Sequence, residues 1–339
     1  MRRPSLARRV LRRIRGKAPE VAEPQMFEAA DIDALVQVYV RTWAVEGGDW
    51  DQYRHAHMRL PEWFHLGLDP LSEAYRDQQM RLWQLITGVQ RPYAAEQDEI
   101  EEAGWSGVDP VRQPGYYQRR DPGAVVAASD HMMATAMLLK HSGLKAGDRA
   151  LEYGAGFGQT ALALARLGVE VDTVDISATF CELVRRQGEH FQVPLTAHHG
   201  VFGMNPRPEQ RYRLIWFYES FHHCLEFRDV VAHMAQMLER GGRVILGGEP
   251  IVEREYEAVP YAWGMRLHSE AVVAMRRNRW CELGFSEVFL FELFMRSGFA
   301  GRRVDCEPSP FGRLYIFERS SEGARRDDAS TNEALSRTR

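Results

Sequence analysis

Two short stretches of this 339-residue chain hold side chains whose types and spacing can do chemistry. The first is Trp216-Phe-Tyr-Glu-Ser-Phe-His-His-Cys224, where Glu219, His222 and His223 fall within five residues. Histidine titrates near neutral pH and suits a general base that takes the proton of a weak nucleophile such as a hydroxyl. His223 is the first choice for that role and His222 the second, with Glu219 orienting a histidine or binding the acceptor. Adjacent histidines point in different directions, so one can act while the other packs. Glu249, in Gly247-Gly-Glu-Pro250, is the further carboxylate expected beside them on the acceptor side. Two histidines and two glutamates are also a donor set for a divalent metal. Their spacing matches no standard ligand motif, so no metal is expected. A purely structural use, in which these side chains only bind neighbouring backbone, stays open.

The second stretch is Glu152-Tyr-Gly-Ala-Gly-Phe-Gly158. Its glycines let backbone pass close beneath a ligand and aim N–H groups at it. Position 159 is Gln159, so the spacing is not the GxGxxG of a dinucleotide loop. An acid precedes the glycines, and Asp175 stands where a carboxylate can accept hydrogen bonds from both hydroxyls of a ribose. This pattern suits a nucleoside with a cationic amino-acid tail better than a pyrophosphate. Two structural alternatives remain: a tight turn without ligand, and Asp175 sharing a helix N-cap with Ser177.

The elements that must position these residues follow from periodicity. Strands fit 149–153, 169–175, 195–199, 214–219, 243–247, 303–306 and 314–317. Helices fit 130–141, with Asp130 as cap, then 159–167, 178–187, 230–240 and 289–297. Alternating strands and helices imply a parallel sheet covered on both faces. The short Pro/Gly segment 307–312 suits a hairpin, which makes one strand antiparallel. In such a sheet ligands gather at the carboxyl ends of the strands, where Glu152, Asp175 and Glu219 stand. Residues 26–127 read as a helical subdomain followed by a Gly/Pro-rich loop, with apolar residues at near-helical spacing over 71–85. Residues 128–319 read as the ligand-binding domain.

Composition bounds the rest. Hydrophobic residues make up 45% and charged residues 27% of the chain, which suits a soluble globular protein. The net charge is -4, yet residues 1–17 hold eight basic groups and no acid. Residues 1–25 therefore form a basic arm and linker on an acidic body. The arm suits contact with an anionic membrane surface, an organellar transit peptide, or a disordered solvated segment. Residues 320–339 are polar and read as a disordered tail. Four cysteines without a CxxC pair suit reduced thiols and a cytoplasmic setting. No apolar run reaches the roughly 18–20 residues of a membrane span.

From Asp130 to Arg319, and most specifically over Leu151–Asp175, the chain resembles the class I S-adenosylmethionine-dependent methyltransferases. The resemblance implies an α/β fold: a Rossmann-like, seven-stranded, mostly parallel sheet with helices on both faces, here with an N-terminal helical subdomain added. It implies S-adenosylmethionine as cofactor. Glu152 would face the methionine amino group, and Gly154, Ala155 and Gly156 would pass beneath the cofactor. Asp175 would hold the ribose, with Ile176, Phe202 and Tyr218 completing the pocket. Many members place an acid after the third strand, near adenine. Here that region reads Gly200-Val-Phe202, which leaves backbone and the Phe202 ring. The Phe-Tyr-Glu-Ser-Phe-His-His-Cys segment is similar to bacterial methyltransferases that accompany surface-glycan assembly. That implies O-methylation of a sugar nucleotide or glycan, at the inner face of a membrane if the arm binds there. N- or O-methylation of a small secondary metabolite or peptide is the alternative. A nicotinamide oxidoreductase and a non-catalytic S-adenosylmethionine-binding partner are readings from other classes. The insert 251–286 supplies rings and an arginine suited to a polar, ring-faced acceptor. Tyr261, Trp263 and Arg266 are its expected contacts, with Tyr256 and His268 nearby, while Tyr116, Tyr117 and His131 are expected to cover the cofactor. Nucleic acid is not expected as acceptor, because the basic residues sit in one arm and the Asn/Asp-Pro-Pro-aromatic motif is absent. The sequence sets no oligomeric state.

Overall fold

The computed structural model describes residues 25–43, 45, 47–101 and 109–319. The basic arm and linker, part of the Gly/Pro-rich loop and the tail 320–339 lie outside the described residues. Seven strands form the main sheet: β1 Arg149–Tyr153, β2 Glu170–Asp175, β3 Leu195–His199, β4 Tyr212–Tyr218, β5 Leu238–Gly247, β6 Phe299–Val304 and β7 Leu314–Arg319. Their order is 3-2-1-4-5-7-6. All pairings are parallel except those of β7, which runs antiparallel to β5 and β6. The chain turns from building one half of the sheet to the other between β1 and β4. That switch point opens a crevice at the carboxyl ends of the strands.

The inner strands are buried on both sides, and their successive side chains serve opposite cores. Ala150, Trp216 and Ile245 pack on one face with Leu138, Ala161 and Leu162. Leu151, Phe217 and Leu246 pack on the other with Phe227, Leu290 and Phe294. The helices involved are α3 Ala124–His141 and α4 Gln159–Ala165 on the first face, and α6 Phe227–Met237 and α8 Glu287–Arg296 on the second. Helix α5 Ala178–Phe191 starts at Ser177, whose hydroxyl accepts the Phe180 N–H at 3.4 Å. Helix α3 begins at Ala124, so Asp130 lies inside it and does not cap it. The run Ala124-Val-Val-Ala-Ala simply continues the helix backwards past the capping-type residue.

The N-terminal region and the insert after β5 fold against each other. Helices α1 Ile32–Thr42 and α2 Glu73–Thr87 pack on α7 Ser269–Asn278 of the insert. Ser72 caps α2, and Gly88, at φ 76°, ends it in the left-handed conformation that favours glycine. Insert strands 251–252, 263–265 and 283–286 make a small separate sheet with 283–286 central. Trp50, Tyr75, Trp83, Trp263 and Phe285 are buried in one core that continues onto the main sheet. Hydrogen bonds strap the two parts: Trp263 Nε1 donates to the Pro70 carbonyl at 2.8 Å, and Trp83 Nε1 to that of Arg279 at 3.0 Å. The insert therefore stands over the strand ends. No described helix is long and apolar enough to cross a membrane.

Candidate active site

A cavity of about 720 Å³ lies over the carboxyl ends of β1, β2 and β4. One half is built by the turn after β1. Gly154, Gly156 and Gly158 all have positive φ, at 68°, 50° and 67°. A Cβ on Gly154 would stand 2.6 Å from Ser220 Cβ, and one on Gly158 would stand 2.7 Å from Val184 Cγ2. One on Gly156 would meet nothing within 4 Å, because it would point into open space. The chain there is a bare backbone cradle. Asp175 is buried and locks it: Oδ2 accepts the Gly156 N–H at 2.9 Å and Oδ1 the Ser177 N–H at 2.8 Å. Burial raises the Asp175 carboxyl despite these bonds.

Glu152 is 3% exposed. Its Oε1 accepts the Trp216 indole N–H at 2.8 Å, while Oε2 has no partner. Burial pushes the carboxyl up to about 8. An orphaned buried acceptor on the cavity wall is costly unless a donor arrives. The ammonium of a methionine tail is such a donor. The cradle, the orphaned oxygen and Asp175 together fit S-adenosylmethionine. Ala155, Ile176, Phe202 and Tyr218 also line the cavity.

The other half begins where β4 ends. Glu219 lines the cavity with φ at 50°, a conformation rare for a residue with a side chain. Burial, then the charge of Glu249, push its carboxyl up to about 7. Tyr218 Oη lies 2.6 Å from His131 Nδ1, and Glu219 Oε2 lies 3.4 Å from the same nitrogen. The Tyr116 ring stacks on His131 at 5.6 Å. Tyr116 and His131 line the cavity, whereas Tyr117 is exposed outside it.

His222 and His223 both line the cavity, with ring centroids 4.3 Å apart. Each is backed by a carboxylate. His222 Nδ1 bonds Glu249 Oε2 at 2.8 Å, and His223 Nδ1 stands 3.0 Å from Glu99 Oε2. His222 Nε2 lies 3.8 Å from Glu282 Oε2, which also pairs with the Arg266 guanidinium. Burial, then the neighbouring His223 charge, hold His222 below its usual range. For His223 burial works downward, but Glu99 outweighs it and raises the group to about 9. His222 is thus the neutral member and His223 the charged one.

Three sequence expectations change here. Glu249 is not on the cavity wall. Its Oε1 accepts the N–H groups of Ser220 and Phe221, and its Oε2 the N–H of His222, at 2.8–3.1 Å. It is the buried anchor of the loop. Tyr261 and Trp263 are 4% and 3% exposed and belong to the insert core. The Tyr261 hydroxyl donates to the Met265 carbonyl, and Trp263 donates to Pro70. Their rings supply the core that fixes the insert, which local composition does not distinguish from a ligand face. Arg266 does line the cavity. The sequence reading missed Glu99, Glu101, Trp280 and Glu282, all on the wall. Glu99 sits in Asp98-Glu-Ile-Glu-Glu102, a charge run that looks like a solvated face.

Residues 151–246 match the family model described as Methyltransferase domain. The curated 27-O-demethylrifamycin SV methyltransferase of Amycolatopsis mediterranei (strain S699) is 28% identical over 132 residues, which is 38% of this chain and 46% of that protein. The match thus spans less than half of that relative's length. Geranyl diphosphate C-methyltransferase of Streptomyces coelicolor A3(2) superposes with a TM-score of 0.46 at 15% identity, over 74% of this chain and 100% of that one. The CcbJ methyltransferase of Streptomyces caelestis gives 0.43 at 18% identity, over 57% and 90%. Over residues 151–246, within a seven-stranded, mostly parallel sheet, this chain is thus similar to methyltransferase domains.

Proposed function

We propose that the protein transfers the methyl group of S-adenosylmethionine to a hydroxyl of a saccharide, either a sugar nucleotide or a glycan. The observation that carries this reading is one continuous cavity. It joins the Glu152–Gly156–Asp175 cradle to a pair of carboxylate-backed histidines. When bound, the cofactor supplies an electrophilic methyl on a sulfonium. The chain's own residues do the rest. Glu152 Oε2 receives the ammonium of the methionine tail, and Asp175 holds the ribose. Trp280 offers a ring face, while Arg266, Glu282 and Glu219 offer donors and acceptors for a polyhydroxylated acceptor.

The acceptor proton goes to Nε2 of His222 and not to His223, the first choice from sequence, because His223 already carries a proton. Glu249 accepts the Nδ1–H of that ring, which fixes the tautomer with a free lone pair on Nε2. Glu249 is itself fixed by three backbone N–H groups, so the imidazole is rigidly held. Holding hydroxyl, base and methyl in line supplies much of the rate. Contact of residues 1–17 with the inner face of a membrane belongs to the same reading, since lipid-linked sugars are presented there.

A second reading is O-methylation of a small secondary metabolite. It is favoured by the name of the rifamycin-methylating relative. Incubation with labelled S-adenosylmethionine and panels of sugar nucleotides, glycans and metabolites separates the two. A labelled methyl ether on a saccharide supports the first, label only on a metabolite or peptide supports the second, and failure to bind the cofactor removes both.

A further inference from the structure

We infer that His222, His223 and Glu282 form a site for one divalent cation of the zinc type in the acceptor half of the cavity. Each offers one donor atom, and the three donors lie within 4.8 Å of one another. Two imidazoles and one carboxylate are a donor set that holds zinc with a position left open. Donors bonded to one zinc at about 2.1 Å stand roughly 3.4 Å apart, so small side-chain rotations complete the geometry.

A second, independent feature lies behind the donors. Histidines that ligate metals present one nitrogen to the ion and give the other N–H to a carboxylate or carbonyl, which fixes the ring. His222 has that arrangement, and His223 has a carboxylate placed for it. Nδ1 of His222 is held by Glu249 at 2.8 Å, and Nδ1 of His223 faces Glu99 at 3.0 Å. No hydrogen bond to either Nε2 is present among the described residues, and His222 Nε2 is 3.8 Å from Glu282. The backing carboxylates are fixed in turn. Glu249 accepts three backbone N–H groups, and Glu99 accepts the Cys281 N–H at 2.6 Å and the Tyr93 hydroxyl at 2.8 Å.

Charge points the same way. Glu99, Glu249 and Glu282 surround the pair, and the Arg266 guanidinium stands on Glu282. With His222 neutral and His223 charged the group carries one net negative charge, and two once a ligating His223 gives up its proton, in a largely buried place. Such a charge calls for compensation. One divalent ion supplies it, and its open position faces the cavity, where an acceptor oxygen can coordinate. The inference rests on the acceptor being presented at these histidines. It departs from the preceding reading in one respect: in the loaded protein the ion, not a proton, takes the His222 lone pair.

The test uses the full chain, stripped with a chelator and dialysed, then titrated with Zn²⁺ alone while heat and bound metal are measured. One ion per chain is expected. His222→Ala, His223→Ala and Glu282→Gln should each weaken binding by at least the roughly 10- to 100-fold that loss of a ligand's outer partner costs. Retained S-adenosylhomocysteine binding shows that each variant is folded. Co²⁺ in place of Zn²⁺ should give a visible absorption band of low-symmetry N/O coordination that the variants lose. No Zn²⁺ uptake by the folded chain, or uptake indifferent to all three substitutions, overturns the inference. So does a stripped, metal-free enzyme that methylates its acceptor at the loaded rate, which leaves His222 as the base. One bound ion at these residues without methyl transfer to any saccharide keeps the metal site and removes the acceptor reading.

Discussion

Cofactor affinity should rise with pH up to about 8, because Glu152 must lose a proton to receive an ammonium group. In the ligand-free protein burial holds this carboxyl at about 8, against about 4.3 for a free glutamate. Its Oε1 is occupied by Trp216 and its Oε2 is orphaned. At pH 7 about nine in ten ligand-free molecules therefore carry the proton, and binding should release about 0.9 proton. Between pH 6 and pH 8 the ionised fraction rises about 50-fold, worth about 2.3 kcal/mol of binding free energy. Titration calorimetry with S-adenosylhomocysteine, in two buffers of different ionisation enthalpy, measures both the affinity and the released proton. Asp175 and Glu101 are also raised by burial, Glu101 further by the Asp175 charge. The informative quantity is thus the difference between wild type and Glu152→Gln, which cannot ionise. The sign on stability is the reverse. A carboxyl raised in the folded state stabilises the fold fully below its unfolded value and loses that contribution as pH rises through about 8. Glu152→Gln should accordingly melt higher than wild type at pH 8 while binding cofactor more weakly, and the two melts should converge near pH 4. An unchanged affinity slope in Glu152→Gln, or no proton released at pH 7, would refute the reasoning.

Other outcomes follow from single contacts. Gly156→Ala places a methyl in open cavity space at φ 50°. It should cost about 1–2 kcal/mol of stability and weaken S-adenosylhomocysteine by about 5- to 150-fold, read by melting and calorimetry. Gly154→Ala drives its Cβ to 2.6 Å from Ser220, so its loss should appear mainly as a lower melting temperature. Trp263→Ala should cost about 3–5 kcal/mol in denaturant titration, with the acceptor KM of the folded fraction unchanged. A raised KM at full stability would return Trp263 to the acceptor site. Glu249→Ala leaves three backbone N–H groups and His222 without their acceptor. It should cost about 3–5 kcal/mol and lower kcat together with stability.

The cofactor half was legible because it is local. Strand β1, the glycine turn and α4 follow one another, and each residue type has a single strong reason to stand there. Glycine is needed at three positive φ angles, an acid at the strand end, and a second acid at the end of the neighbouring strand. The strands themselves were legible from their apolar runs, whereas the assignment of Ala150 and Trp216 to one core and Leu151 and Phe217 to the other comes from the structure. The acceptor half is not local. Glu99 comes from the N-terminal region, the histidines from the turn after β4, Glu249 from the end of β5, and Arg266, Trp280 and Glu282 from the insert. Nothing in the spacing of residues 99, 222 and 282 announces that they meet. The rings of Tyr261 and Trp263 misled for a related reason. An aromatic residue reads alike in sequence whether it faces a ligand or locks two subdomains together.

Glu219 and Glu249 show how far the strand end is shaped for the histidines rather than for a ligand. Glu219 takes φ 50° where β4 stops, a conformation that costs a residue with a side chain on the order of 1–2 kcal/mol. Its N–H donates to the Gly247 carbonyl at 3.0 Å. Gly248, at φ 68°, leaves the room: a Cβ there would stand 2.7 Å from Glu219 Cγ. The bend turns the next three N–H groups onto one carboxylate, Glu249, which then has one further lone pair for the His222 ring. A chain continuing as regular strand would send successive N–H groups to opposite edges, and no single carboxylate could collect them. The strain at Glu219, the glycine at 248 and the buried acid at 249 therefore form one device, and its product is the orientation of His222. Glu249 was expected at the acceptor because it lies beside the histidines. Its place behind the cavity wall is what lets it hold His222.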